Sequence, residues 1–254
     1  MIDIHSHIIP NIDDGSTSEE ISIEMLKTSY KSGTRVIILT PHYYRGKYME
    51  PLNVVKKKAK EVKELARKNN IDINILVGQE VYFTPSLLED LDNGEIGTIN
   101  DTRYMLIEFN MMKFEYEIFD IIHELKIRGI VPIIAHPERY RDFQKKPSKI
   151  NEFIDAECLF QLNANSISGI LGSEAKKLSE IFIQNKIYSF LGSDAHGLGK
   201  RNTDISIYKN DIEKIDKNFF DRISNNSNKL IKNEIVNFEG DKIKPKKKRF
   251  FNLF

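Results

Sequence analysis

Residues 1–15 have the sequence MIDIHSHIIPNIDDG, in which His5 and His7 follow a short apolar segment. Side chains two residues apart in an extended strand point to the same side, so the two imidazoles could share one metal ion. A His-x-His pair by itself is more often two surface histidines. The chain has only six histidines, however, and three of the other four also stand where short apolar segments end: His42, His136 and His196. This repetition favours a metal site built from several strand ends.

The composition is that of a globular protein with little net charge. A chain of 254 residues, 40% hydrophobic and 30% charged, is long enough for a sizeable core or a single barrel domain. Its 38 Lys and Arg nearly balance its 37 Asp and Glu, which argues against a nucleic-acid partner. The single cysteine, Cys158, excludes an internal disulfide and fits a reducing cytoplasm. Because neither a signal peptide nor an apolar run near the roughly 18 residues of a membrane span is evident, a cytoplasmic location is expected.

Seven apolar, often β-branched segments alternate with helical patterns. A first helix is predicted to start within Ser16-Thr-Ser-Glu-Glu20, where hydroxyl caps precede acids, and to stop at Gly33, and further helical patterns follow the later strands. The predicted strands cover residues 3–7, 34–40, 71–77, 103–107, 130–135, 158–162 and 187–191. Six of them end near a His, Asp or Glu, and the other ends in an Asn-rich loop, 163–166. We therefore predict an α/β fold, a single distorted (β/α)7 TIM-like barrel over residues 1–238, with a site at the carboxyl ends of the strands.

The side chains at these strand ends form a candidate metal-ligand set. Nine such ligands exceed the four to six positions of one ion, so two or three divalent ions are expected. Imidazole and carboxylate ligands suit Zn, Mn or Fe, and clustered ions of this kind hydrolyse phosphoesters. The candidate ligands are His5, His7, Asp14, His42, Glu80, Glu108, His136, Asp194 and His196.

Two arginines close to these ligands are candidates for binding a phosphate. Arg139 follows His136 by three residues, and Arg201 follows His196 by five. A guanidinium group binds phosphate oxygens with two parallel hydrogen bonds, although either arginine taken alone would more often be a surface residue.

Other polar and aromatic residues have less specific interpretations. His123 lies in the middle of a predicted helix, so a structural or surface role is expected, and Cys158 at the start of its strand is expected to pack in the core. Five aromatic residues just beyond the candidate ligands could frame an aryl ring or be ordinary loop aromatics: Tyr43, Tyr44, Tyr48, Tyr82 and Phe83.

Several short motifs resemble those of the PHP (polymerase and histidinol phosphatase) superfamily. More narrowly, they resemble the CpsB/YwqE-type bacterial metal-dependent protein-tyrosine phosphatases of capsule and exopolysaccharide synthesis. The resemblance extends from Met1 to about Leu230. The motifs are Asp3-Ile-His-Ser-His7, Asp13-Asp-Gly15, Thr40-Pro-His42, Glu80, Ile107-Glu108-Phe109, Ala135-His-Pro-Glu-Arg139, Asn163-Ala-Asn-Ser166 and Ser193-Asp-Ala-His196.

This resemblance implies a trinuclear site, with Mn the expected metal and Zn, Fe or Co as alternatives. One ion would be held by His5, His7, Glu80 and Asp194, a second by Glu80, Glu108 and His136, and a third by Asp14, His42 and His196. Arg139 and Arg201 would bind the phosphate, a metal-activated hydroxide would attack phosphorus, and no phosphocysteine would form. Asp13 is the alternative to Asp14 as a ligand, because the two acids are adjacent.

The resemblance also implies partners. The expected substrate is a phosphotyrosine protein, a membrane-associated bacterial tyrosine kinase of capsule or exopolysaccharide synthesis. The helix start at Ser18 resembles a region through which some relatives form homo-oligomers. Two alternatives stay open: another PHP phosphoesterase, acting on histidinol phosphate or a small phosphoester, and a non-catalytic metal-binding PHP module.

Residues 239–254 form a separate, basic and aromatic C-terminal tail. Residues 240–254 contain six basic residues, one acid and three phenylalanines. Such a segment is expected to be a solvated, flexible tail. The alternative is peripheral contact with an anionic membrane surface, to which each Lys or Arg would contribute roughly 1 kcal/mol.

Overall fold

The alternation of short apolar segments and amphipathic helices produces a mixed α/β structure. The computed structural model describes residues 1–114 and 117–245. The strands are β1 (Ile2–Ser6), β2 (Val36–Leu39), β3 (His42–Tyr43), β4 (Asn74–Val77), β5 (Glu80–Tyr82), β6 (Tyr104–Glu108), β7 (Val131–Ala135), β8 (Leu159–Asn163) and β9 (Phe190–Gly192). The helices are α1 (Glu19–Lys31), α2 (Leu52–Lys68), α3 (Leu87–Asp92), α4 (Ile118–Ile127), α5 (Arg141–Lys145), α6 (Ile150–Asp155), α7 (Ser173–Gln184), α8 (Lys209–Ile215) and α9 (Phe219–Ile231).

All pairs between these strands are parallel, and they form two curled sheets. One sheet has the order β1-β2-β4 and the other the order β3-β5-β6-β7-β8-β9. Two of the predicted strands, 34–40 and 71–77, continue beyond their predicted ends as further short strands. After residues 40–41, β2 is followed by β3, and after residues 78–79, β4 is followed by β5. Pro41 has no N–H to donate to a ladder, which accounts for the first interruption. The parallel α/β architecture is confirmed, whereas its description as a single seven-stranded barrel stays a prediction.

The first strand also contacts the segment that follows β9. The Asp194 N–H donates to the His5 carbonyl over 2.8 Å, and the His7 N–H donates to the Ala195 carbonyl over 3.0 Å. Beneath these contacts, buried side chains of both sheets pack into one cluster that includes Ile4, Ile38 and Phe190. The carboxyl ends of the first and last strands are thereby held together.

Three local predictions from the sequence are confirmed. Ser18 caps α1, since its Oγ accepts a hydrogen bond from the Ile21 N–H at 3.3 Å. His123 is exposed on α4, away from the strand ends. Cys158 is buried in the hydrophobic core, and this burial raises the pKa of its thiol, so it is not a ready nucleophile.

The beginning of the C-terminal segment packs against the protein. Ile243 is buried, and its N–H and carbonyl each form a 2.9 Å hydrogen bond with the side chain of Asn151 on α6. The Asp241 N–H donates to the carbonyl of Asn185, between α7 and β9, over 2.9 Å. The second anchor lies in the connection that leads into the amino end of β9. The predicted tail of residues 239–254 is thus described as far as residue 245, and its most basic part, 246–254, lies outside the described residues.

No helix in the described part of the chain is both long and apolar enough to cross a membrane.

Candidate metal centre

The first strand places two imidazoles against two carboxylates. The Nε2 atoms of His5 and His7 lie 3.1 Å apart. Both face Glu80 Oε2, at 3.1 and 3.3 Å, and both face Asp194 Oδ1, at 3.6 and 3.5 Å. All four side chains are fully buried. The spacing of two residues in β1 therefore brings both histidines to one point, as predicted.

Glu80 extends this group toward a second set of ligands. Its Oε1 lies 2.8 Å from His136 Nε2, while its Oε2 lies 3.0 Å from His42 Nδ1. Glu108 is close to the same two imidazoles, at 3.5 Å from His136 Nε2 and 3.7 Å from His42 Nδ1. Because each oxygen of Glu80 faces a different set of nitrogens, its carboxylate is in a position to bridge two ions.

The third set is nearer to solvent. Asp14 Oδ1 lies 3.5 Å from His42 Nε2 and 3.4 Å from His196 Nε2, and His7 offers a nitrogen within reach of the same atoms. Eight of the nine predicted ligands thus lie in three overlapping groups, and His136 adjoins the second group through Glu80. They lie at the carboxyl ends of β1, β6 and β7, at the starts of β3 and β5, which follow β2 and β4, and in the loops after β1 and β9.

A pocket of about 270 Å³ opens over these groups and contains both predicted arginines. Arg139 donates to Asp194 Oδ2 over 2.9 Å, and Arg201 donates to Asp194 Oδ1 over 2.6 Å. The residues that line the pocket are Asp14, His42, Tyr44, Lys47, Tyr48, Tyr82, Glu108, Met111, Arg139, Asp194, His196 and Arg201. Two guanidinium groups therefore face the ligand cluster from the side on which a substrate would enter.

Residues 1–236 match the family model described as "Capsular polysaccharide synthesis, CpsB/CapC". The chain belongs to the CpsB/CapC family.

Known relatives share most of the length of this CpsB/CapC protein. Tyrosine-protein phosphatase YwqE of Bacillus subtilis is 34% identical over 202 residues, which cover 80% of each chain. Tyrosine-protein phosphatase CpsB of Streptococcus pneumoniae is 36% identical over 206 residues, which cover 79% of this chain and 85% of the relative. A solved chain from work on these two proteins, described as metal-dependent tyrosine phosphatases, matches with a TM-score of 0.89 at 31% identity, covering 96% of this chain and 100% of the solved one. The resemblance inferred from the motifs is confirmed.

Asp13 and Asp14 have different environments in this family member. Asp13 Oδ2 accepts a 2.7 Å hydrogen bond from His7 Nδ1 and a 2.9 Å hydrogen bond from the His42 N–H. Asp13 therefore orients His7, whereas the Asp14 carboxylate faces His42 and His196. Gly15 makes this arrangement possible, because a Cβ there would lie 2.3 Å from the His7 carbonyl oxygen.

Hydrogen bonds to the far sides of the imidazoles direct their lone pairs into the cluster. His5 Nδ1 donates to Gln161 Oε1 over 2.9 Å, and His7 Nδ1 donates to Asp13, so both Nε2 atoms face the cluster. These two Nε2 atoms lie 3.1 Å apart as a hydrogen-bonded pair that shares one proton, and a divalent cation would take the place of that proton. Glu80 Oε2 is buried and accepts no hydrogen bond of good geometry, although three imidazole nitrogens lie within 3.3 Å of it. The donor set therefore fits divalent cations.

The buried charges shift the pKa values of the cluster in opposite directions. Burial lowers the pKa of His7, but the carboxylates of Asp13, Asp194 and Glu80 together outweigh that effect and raise it well above its usual value. Burial, with the neighbouring Arg139, lowers the pKa of His136 to about 4. Burial raises the pKa of Glu108 well above its usual value, and the nearby Glu80 carboxylate adds to that effect. Cations at this cluster would take the place of protons on groups such as His7 and Glu108.

Two ligands have strained backbones. His136 has φ 32° and Asp194 has φ 49°, in the left-handed region that residues other than glycine seldom occupy. The hydrogen bond from the Asp194 N–H to His5 helps to hold this conformation. Strain at ligands is typical of functional sites.

Three supporting residues were given no role by the sequence analysis. Asn163 Nδ2 donates to Asp194 Oδ2 over 2.6 Å, and Gln161 orients His5. The buried Glu138 accepts hydrogen bonds from the Asn163 N–H at 3.0 Å and from Tyr188 at 2.9 Å. Burial raises the pKa of Glu138 to about 7. The motifs 135–139 and 163–166 contain Glu138 and Asn163, but their contacts depend on how the two loops meet.

Proposed function

We propose that this protein is a metal-dependent protein-tyrosine phosphatase. The observation that carries the proposal is the set of three overlapping imidazole and carboxylate groups beneath Arg139 and Arg201, in a chain of the CpsB/CapC family. The relatives named tyrosine-protein phosphatases supply the substrate class.

The nine ligands would hold two or three divalent ions. We assign His5, His7, Glu80 and Asp194 to the first, Glu80, Glu108 and His136 to the second, and Asp14, His42 and His196 to the third. His42 also lies near Glu80 and Glu108, so it could contact the second ion. Mn is the proposed metal, and Zn, Fe and Co are alternatives that suit the same imidazole and carboxylate donors. When bound, the ions would provide a nucleophilic water and neutralise charge on the phosphate.

The protein's own residues would hold and orient the phosphate. Arg139 and Arg201 reach Asp194 from the pocket side, so their remaining N–H groups are available to the non-bridging phosphate oxygens. Asp194 keeps both guanidinium groups above the metal ligands, and Asn163 fixes Asp194 from behind. The phosphorus of a bound phosphomonoester would then lie between the arginines and the metal cluster.

A polypeptide substrate is supported by exposed apolar side chains in the connections that follow the strands. Of the seven large hydrophobic side chains exposed in the described residues, five lie in these connections, four of them in loops and Ile207 in a short 3-10 helix. They are Met49, Met112, Ile170, Leu198 and Ile207. These side chains do not line the pocket, but exposed apolar side chains on the same face of the sheets favour contact with a protein over contact with a small phosphoester alone. We propose a phosphorylated bacterial tyrosine kinase of capsule or exopolysaccharide synthesis as the substrate.

The two sheets are proposed to form one distorted (β/α)7 barrel. Seven strands result if β2 with β3, and β4 with β5, are counted as single interrupted strands. The hydrogen bonds between β1 and residues 194–195 support closure of the ring.

Turnover by metal-loaded and metal-depleted protein tests the function. We expect Mn²⁺-loaded protein to hydrolyse a phosphotyrosine peptide, to lose this activity after prolonged dialysis against a chelator, and to regain it when Mn²⁺ is added. Full activity in excess chelator would contradict the metal mechanism. A higher kcat/KM for histidinol phosphate would favour that substrate class, and no turnover of any phosphomonoester would favour a non-catalytic module.

The remaining proposals concern location and assembly. We propose a cytoplasmic protein whose tail, residues 240–254, contacts anionic membranes, since its six basic residues adjoin three phenylalanines. Full-length protein should then bind phosphatidylserine vesicles more tightly than a chain ending at Glu239, and equal binding would exclude this role.

Homo-oligomer formation is the other proposal, and the mass of the protein in solution tests it.

A further inference from the structure

Three tyrosines form the outer wall of the pocket, and we call them the tyrosine lip: Tyr44, Tyr48 and Tyr82. Two of them lie on a tight hairpin between β3 and α2. The Tyr44 N–H donates to the Tyr48 carbonyl over 2.6 Å, and the Tyr48 N–H donates back over 2.9 Å. Gly46, with φ +84°, allows the turn between them. The hairpin therefore holds two aromatic rings at a fixed separation.

The rings of the lip are stacked and half-buried. Tyr44 and Tyr82 stack with centroids 4.0 Å apart and planes 16° apart. Tyr48 lies parallel to His42, with centroids 5.8 Å apart and planes 10° apart. Tyr82 is paired in register with Glu108 and follows Glu80 by two residues, so its side chain lies on the same face of the sheet as both carboxylates. Tyr43 and Phe83, the other two aromatic candidates from the sequence, are buried in the core and do not line the pocket.

A salt bridge behind the hairpin fixes the lip to α3. Arg45 donates to Asp90 Oδ1 from Nε at 3.0 Å and from Nη2 at 2.7 Å, and Nη2 also donates to Glu89 at 2.9 Å. The Asp90 side chain is only 4% exposed, whereas that of Arg45 is 37% exposed, so the contact lies at the edge of the solvent. Because Arg45 lies between Tyr44 and Gly46 in the hairpin, this contact sets the position of the rings.

The size of the pocket limits what can pass the lip. Its volume of about 270 Å³ lies below the roughly 300–1,000 Å³ of sites that enclose a whole drug-sized ligand. A pocket of this size suits one side chain with its phosphate. With the phosphate on the arginines, the group that carries it would lie in the pocket that Tyr44, Tyr48 and Tyr82 help to line.

We propose that the tyrosine lip selects aryl phosphates by contacting the leaving-group ring, and that Arg45 is a positioning residue for the lip. The proposal rests on the proposed phosphatase function and adds the residues that determine its specificity. Aromatic rings in contact gain more than an alkyl group does at the same place, because ring edges and faces attract one another. Small alkyl phosphates would reach the same arginines and metal ligands without this contact.

Inhibition by two phosphonates separates ring recognition from phosphate recognition. In the double variant Tyr44→Leu and Tyr82→Leu, the Ki of phenylphosphonate should rise roughly tenfold, whereas the Ki of methylphosphonate should stay within about twofold. The KM of a phosphotyrosine peptide should rise by about the same factor as the Ki of phenylphosphonate, and kcat should change little. Tyr30→Leu is the matched control, since Tyr30 stacks with Arg35 at the far end of α1. Equal changes for both phosphonates, or no change for either, would overturn the proposal.

The positioning role of Arg45 has its own test. Arg45→Ala should raise the KM of the phosphotyrosine peptide severalfold without lowering kcat, and Arg45→Lys should restore part of the loss. Since Arg45→Ala leaves the buried Asp90 without its partner, the variant Arg45→Ala with Asp90→Asn removes the unpaired charge and should keep the raised KM. A KM restored to the original value in that double variant would contradict a positioning role.

Failure of the lip proposal can be told apart from failure of the proposed phosphatase function. If unmodified protein does not hydrolyse phosphotyrosine peptides, the function is wrong. Binding of phenylphosphonate and methylphosphonate to Mn²⁺-loaded protein, measured by calorimetry, would still show whether the lip recognises an aryl ring.

Discussion

Replacing Glu80 by Gln is expected to lower kcat/KM for a phosphotyrosine peptide by about 1,000-fold or more, because loss of a shared metal ligand removes several kcal/mol of transition-state stabilisation. Glu80 Oε1 lies 2.8 Å from His136, and its Oε2 lies within 3.3 Å of His5, His7 and His42. The amide keeps the shape but loses the charge and one acceptor. The number of bound ions, measured by elemental analysis, should fall together with the activity.

Two control variants separate this effect from general damage. Glu157→Gln makes the same change at an exposed carboxylate paired with Lys126, and it should leave both activity and metal content unchanged. Cys158→Ser should retain turnover, because the buried thiol takes no part in the proposed reaction. A Glu80→Gln variant with the original metal content and activity would show that the cluster is not the catalytic centre.

Replacing Arg139 by Met is expected to lower kcat/KM about 100-fold, the usual cost of removing one donor that stabilises charge in a transition state. Arg139 is bonded to Asp194 but lies on the pocket side of it. Arg201 remains bonded to Asp194 in this variant, so the metal content should change little. Arg139→Lys should restore only part of the activity, because an ammonium group cannot form the paired contacts of a guanidinium group.

The matched control is Arg141→Met, two residues further along the chain. Arg141 is exposed at the start of α5 and does not line the pocket. Its replacement should leave kcat/KM within about twofold. If Arg139→Met lost its metal along with its activity, Arg139 would support the cluster and would not bind the phosphate.

The proximity of the candidate ligands was predictable from the sequence because parallel strands bring their carboxyl ends together. The two-residue period of a strand was enough to place His5 and His7 side by side. The ends of two apolar segments were enough to place His136 and Asp194 at the carboxyl ends of the strands. The family resemblance added the substrate class and the grouping into ions, which spacing alone does not give.

The choice between Asp13 and Asp14 was beyond sequence reasoning, because it depends on the loop. Asp13 turns toward His7 where Gly15 lies against the His7 carbonyl, and no periodicity encodes that contact. The role of Glu138 depends on Tyr188, which is 50 residues away in the chain. The strands β3 and β5 were also missed, since a pair of residues after Pro41 and a trio after Gln79 are too short to show a strand pattern.

The hydrogen bond that joins the first strand to the segment after β9 also constrains when the protein can acquire its metal. The Asp194 N–H donates to the His5 carbonyl, and the two residues are 189 positions apart in the chain. Contacts of such long range form late in folding, since the intervening chain must be ordered first. During synthesis, His5 and His7 leave the ribosome long before Asp194 and Arg201 do. A nascent chain therefore has only part of the chelating cluster, and metal capture becomes a measure of completed folding.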